Sequence, residues 1–91
     1  MEKKILVRII AGSKSDTQYV EQTQQVLEDF DVPYDMHISS AHRNPERTEK
    51  LAKDAENSGV QVIIALAGMA AALPGVVAAM TTIPVPMTPV I

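Results

Sequence analysis

The sequence predicts an α/β protein in which helices cover both faces of a parallel sheet, with elements in the order βαβαβαβ. Three observations carry that prediction. Residues 5–11 (ILVRIIA) and 60–65 (VQVIIA) are short, mostly apolar runs with little alternation, as expected of strands buried on both faces. Between the strands lie stretches with helical spacing of apolar residues. Glycine or proline punctuates most junctions.

The elements follow in order. Residues 5–11 form the first strand, ended by the run Gly12-Ser13-Lys14-Ser15-Asp16. Residues 17–31 read as a helix that sets Val20, Thr23, Leu27 and Phe30 near one face with Val26 beside them, and either Ser15 or Asp16 suits its N-cap. Pro33 closes that region, and residues 34–39 form a second strand containing His37, read as structural. Asn44-Pro45 is a strong helix start, because Asn caps and Pro at the first helical position gives up an N–H that has no partner there. The helix places Thr48, Leu51, Ala52 and Ala55 on one face, and Gly59 suits its left-handed stop. A third strand spans 60–65, an apolar helix spans 70–80 with Pro74 near its start, and a fourth strand spans 83–91, weakened by Pro84, Pro86 and Pro89.

Length and composition bound the function. Ninety-one residues make one domain, 1–91, with a net charge of −3 from 8 basic and 11 acidic side chains. That balance argues against a nucleic-acid partner, whose phosphates require a basic patch. With no cysteine, a disulfide framework, a thiolate zinc site and a cysteine nucleophile are all excluded. Every charged side chain and both histidines fall between Glu2 and Glu56. Residues 62–80 carry no polar side chain, a length that invites comparison with a membrane span. Gly68, Pro74-Gly75 and the absence of basic flanks favour a buried strand, turn and helix instead. The expectation is a cytoplasmic protein with no membrane association.

In a sheet of this kind ligands bind beyond the C-terminal strand ends, where the winding reverses. Three loops leave those ends: 12–16, 39–44 and 66–72. The first, GSKSD, precedes a helix, where free backbone N–H groups and the helix dipole favour an anion. Ser13 and Ser15 add hydroxyls there and Lys14 adds charge, although a capped turn without a ligand explains the same residues. With a single glycine it is neither a P-loop nor a dinucleotide fingerprint. The second, SSAHRNP, gathers Ser40, His42 and Arg43, a set suited to phosphate through the planar fork of arginine, against the bland reading of a solvated polar loop. The third, ALAGMAAALPG, offers only backbone groups, and Met69 and Met80 suit packing.

AGSKSD, SSAHRNPERTEKLAKDAENSGVQVIIA and AGMAAALPGVVAA resemble, in this order and spacing, the class I N5-carboxyaminoimidazole ribonucleotide mutase (PurE) family of purine biosynthesis. The resemblance covers nearly the whole chain. It implies a three-layer flavodoxin-like fold with strand order 2-1-3-4 and a symmetric oligomer whose neighbouring subunits help build each site. It implies a mutase, an isomerase that moves a carboxylate from an exocyclic nitrogen of an aminoimidazole ribonucleotide to a ring carbon, with no metal or organic cofactor and a histidine shuttling the proton. By position Ser13, Ser15 and Asp16 correspond to the ribose-phosphate loop, and Ser40, His42 and Arg43 to a second substrate loop with Arg43 facing phosphate.

The chain departs from the family pattern in the third loop. The family's AGAGGAAHLPG is ALAGMAAALPG here, so the shuttling histidine falls on Ala72, and two glycines fall on Leu66 and Met69, which would intrude on the pocket. A family lysine falls on Met80, and the family pattern continues past residue 91. General acid–base catalysis typically contributes about 10²–10⁴-fold, and alanine has no proton to give. The sequence therefore reads as a truncated PurE-like scaffold, engineered or degenerate, without a catalytic residue. On this reading it self-assembles through its apolar residues 59–91 and retains aminoimidazole ribonucleotide or phosphate as ligands. The alternative is an active mutase that forms 4-carboxy-5-aminoimidazole ribonucleotide.

Overall fold

A computed structural model describes residues 4–12, 17–40, 43–67, 77, 81, 83–85 and 87–89. The elements are β1 (Val7–Ala11), α1 (Thr17–Asp29), β2 (Tyr34–Ile38), α2 (Pro45–Ser58), β3 (Val62–Ala67) and β4 (Met87–Pro89). The sheet is parallel throughout, in the order β2-β1-β3-β4. This is the parallel α/β sheet expected from the alternation of strand and helix, in the flavodoxin-like strand order that the family resemblance implies.

Register assigns each side chain to a face. In β1 the fully buried Ile10 packs with Ile63, Ala65, Ala52, Ala55, Val60 and Val77, the cluster on the α2 side. Its neighbours Ile9 and Ala11 pack with Val20 and Leu66 on the α1 side. The period of two therefore holds in strands that show little polar alternation, because both faces are covered.

The helix ends follow local chemistry. Asn44 caps α2 by accepting a hydrogen bond from the Arg47 N–H, and Pro45 occupies the first turn. Gly59 ends α2 at φ 83°, where a side chain would be strained. Thr48, Ala52 and Ala55 form the buried face of α2, as their spacing predicts. Helix α1 stops at Asp29, two residues before the expected end. Asp31 adopts φ 55°, while its N–H bonds Glu28 O and that of Val32 bonds Leu27 O, a Schellman closure with aspartate where glycine is usual.

Several expectations are corrected. Phe30 lies beyond α1 and is 77% exposed, and Val26 is 53% exposed, so only Val20 and Leu27 of that apolar set contribute to packing. Strand β3 runs two residues later than 60–65, because the Val60 N–H bonds Ala55 O and so completes the end of α2. Leu66 is consequently a strand residue opposite Ala11 and only 4% exposed; it fills the core under α1 instead of intruding on a pocket. Strand β4, Met87–Pro89, falls within the expected 83–91, with Pro89 opposite Ala67; residues 86, 90 and 91 lie outside the described residues. The helix expected over 70–80 lies outside the described residues except for Val77, which is helical and fully buried.

The expectation that residues 59–91 form an apolar interface is also corrected over its described part. Val60, Ile63, Ala65, Leu66 and Val77 are all buried within the chain's own two core clusters, so they are not offered to a second copy. No helix among the described residues is long and apolar enough to cross a membrane, and the stretch beginning at Val62 opens as a strand.

Candidate functional site

The C-terminal ends of β1, β2 and β3 come together at one edge. Gly12 donates its N–H to Leu66 O at 2.9 Å, and Ser39 donates to Ala11 O at 2.8 Å. The ladder thus continues one residue past β1 and β2, and the segments 13–16 and 40–44 leave from adjacent points. The winding reverses between β1 and β3, the place where open α/β sheets bind ligands.

The second loop is rooted and pre-shaped. Ser39 is buried, and its hydroxyl lies 2.7 Å from that of Thr48 on α2. Thr48 in turn donates to Asn44 O. Ser40 accepts the Arg43 N–H on its side-chain oxygen and the Asn44 N–H on its carbonyl. Arg47 donates from Nε to Ile38 O, tying the first turn of α2 to the end of β2. These bonds fix Ser40 and Arg43 on one tight turn. The Ser40 hydroxyl donates to no partner among the described residues, and Arg43 is exposed. An arginine fork and a hydroxyl donor on a fixed turn can hold a phosphate oxygen.

Of the residues singled out from the sequence, Ser40 and Arg43 are therefore brought together. Ser13, Ser15, Asp16, His42 and Ala72 lie outside the described residues, as do Met69 and Met80. Among the described residues no group of three or more His, Asp or Glu side chains is arranged to hold a metal ion.

Sequence reasoning missed Arg8. It stands in the middle of a strand read as apolar, and its side chain is 6% exposed. Its guanidinium grips Asp35 through two bonds, Nε to Oδ1 at 3.1 Å and Nη2 to Oδ2 at 2.9 Å. Nη1 donates to Asp54 Oδ2 at 3.0 Å and to Leu51 O at 2.9 Å. Burial pulls the Arg8 pKa down, but the bonds and charges of the two aspartates outweigh it, and the group stays ionised. Burial likewise pushes the Asp35 carboxyl up, but hydrogen bonds and charge from Arg8 and His37 hold it below its ordinary value. The network locks β1, β2 and α2 together under the second loop. The signal available in sequence was a lone arginine in an apolar strand, with Asp35 at the matching position of the next strand. His37 faces the same side from β2, with Nε2 3.3 Å from Asp35 Oδ2.

The fold and this edge define a doubly wound α/β protein with a hydrogen-bonded Ser40–Arg43 turn where its winding reverses. Residues 6–91 match the model of the AIR carboxylase family. The chain is 50% identical over 88 residues to an N5-carboxyaminoimidazole ribonucleotide mutase of Pyrococcus horikoshii, which covers 97% of this chain and 50% of that protein. It is 42% identical over 90 residues to the mutase of Haemophilus influenzae, covering 99% of this chain and 55% of the relative. A phosphoribosylaminoimidazole carboxylase of Candida glabrata is 50% identical over 88 residues, 97% of this chain and 15% of the longer protein. The chain belongs to the AIR carboxylase family, and it spans about half the length of the mutases it matches.

Proposed function

We propose that this chain is the ribonucleotide-recognising part of a mutase that converts N5-carboxyaminoimidazole ribonucleotide to 4-carboxy-5-aminoimidazole ribonucleotide. The observation that carries the reading is the Ser40–Arg43 turn, rooted by Ser39, Thr48 and Asn44 at the sheet edge where β1 and β3 diverge. The family match over 6–91 and the identity to mutases support an active protein over the non-catalytic, self-assembling module expected from the third loop. Self-association accompanies the mutase reading as a family property, through surfaces other than the buried part of residues 59–91.

On this reading Arg43 and the Ser40 hydroxyl hold the ribonucleotide phosphate, joined by Ser13, Ser15 and Asp16 on the first loop. The reaction breaks the bond between the exocyclic nitrogen and the carboxylate carbon and forms one from that carbon to the ring. The ring carbon loses a proton and the nitrogen gains one, so the step is redox-neutral. His42 belongs to the substrate set, and Ala72 leaves the third loop without a proton carrier.

The test is incubation with substrate labelled with ¹³C in the transferred carboxylate, followed by NMR. Migration of the label from nitrogen to carbon, slowed strongly in Arg43→Ala with the fold intact, is the expected result. Saturable binding without migration would restore the non-catalytic reading. Equal binding by Arg43→Ala and the parent would overturn the phosphate role of Arg43.

A further inference from the structure

A concavity lies along the flank of α2, beside the end of β2. Its volume is about 340 Å³, and its walls are His37 from β2 with Arg47, Lys50, Leu51 and Asp54 from α2. Strand β2 is the edge of the sheet, so this depression is open to solvent on its outer side.

The charges around it do not cancel. Asp54 is the only acidic residue among the described wall residues, and its carboxylate is already bound by Arg8 Nη1 at 3.0 Å. Lys50 has no carboxylate in ion-pair range among the described residues. Arg47 uses Nε on Ile38 O, and its terminal amino groups have no partner among the described residues. His37 adds a buried Nε2 atom at the wall, 3.3 Å from Asp35 Oδ2.

We propose that this depression is a binding site for a small oxyanion of the phosphate or carboxylate class. Arg47 presents its planar fork, Lys50 a point charge, and His37 a ring nitrogen at the wall. The volume exceeds that of a bare phosphate and falls at the lower end of the range for small-molecule pockets, so the anion can carry a small organic group. Leu51 gives that group an apolar surface. The site uses neither Ser40 nor Arg43, and it adjoins their turn through Arg47, whose N–H bonds Asn44 and whose Nε bonds Ile38 O.

The experiment is a titration of the full ¹⁵N-labelled chain with inorganic phosphate at low ionic strength, comparing the parent with Lys50→Gln and Arg43→Ala. Glutamine is a good helix former and Lys50 is exposed, so the first variant should fold like the parent. The expected result is saturable movement of the His37 ring and Leu51 amide signals. Lys50→Gln should weaken that response about tenfold, the usual effect of losing one charge-assisted bond. It should leave any response at Ser40 and Arg43 unchanged, and Arg43→Ala should do the converse. Added salt should weaken both. A response at His37 and Leu51 that persists when the turn shows none would sustain this site while removing the other. The proposal is overturned if these two signals fail to saturate, or if the parent and Lys50→Gln respond with equal affinity.

Discussion

Replacing Arg8 with methionine should be among the most damaging single changes to this domain. Methionine fills the space of the arginine stem, so little cavity forms, and the loss is electrostatic. Three acceptors lose a donor: Asp35, Asp54 and the Leu51 carbonyl. The Asp54 side chain is 55% exposed and turns to water at little cost. Leu51 O belongs to the helix interior and keeps its own ladder. Asp35 is the decisive partner: its side chain is 27% exposed and loses a two-bond grip. Breaking a fully buried pair costs about 3–5 kcal/mol, and screening at a carboxylate with this much exposure reduces that to about 2–3 kcal/mol. For a domain of this size that is a large part of the total stability. Urea unfolding followed by circular dichroism measures it, with the slope checked for constancy. The double variant Arg8→Met with Asp35→Leu should recover most of the loss, because it removes the stranded charge. Arg8→Met within about 0.5 kcal/mol of the parent, or no recovery in the double variant, would refute the reasoning.

Four other outcomes follow from the same structure. Asp35 has a native pKa below its ordinary 3.8, so its contribution is fully present above that value and is lost as pH falls through the lowered one. Stability titrated from about pH 5 down to about pH 2 should therefore fall more steeply in the parent than in Asp35→Asn. Asn44→Ala removes the cap on the Arg47 N–H and should cost about 1 kcal/mol in urea unfolding, while loosening the Ser40–Arg43 turn that it adjoins. Gly59→Ala forces a side chain into φ 83° and should lower stability by about 1–2 kcal/mol, seen as a lower thermal midpoint. Phe30→Ser should change stability by less than about 0.5 kcal/mol, since the ring is exposed; a larger loss would show that Phe30 packs against something.

Much of the candidate site was legible because its parts are local. Asn44-Pro45 specifies a helix start from adjacent residues, and the Ser40–Arg43 turn spans four positions. The apolar periods separated strands from helices, and the alternation of types gave the parallel sheet. The boundaries moved where a tertiary bond competed, as at Val60, which closes α2, and at Leu66, which the Gly12 N–H holds in the sheet.

The sequence by itself determined the elements, their caps and the layered class of fold, since these depend on residue spacing of two and 3.6 and on backbone preferences within a few residues. It also carried the family, through motifs whose order survives in one dimension. Only the tertiary structure decided which apolar residues are covered, why Arg8 is tolerated inside a strand, and that Arg47, Lys50 and His37 share a concavity. Arg8 meets Asp35 and Asp54 at separations of 27 and 46 residues, through strand register and helix docking. Periodicity tells which face a side chain takes, but which neighbour lies across from it is set only when the sheet pairs and the helices pack.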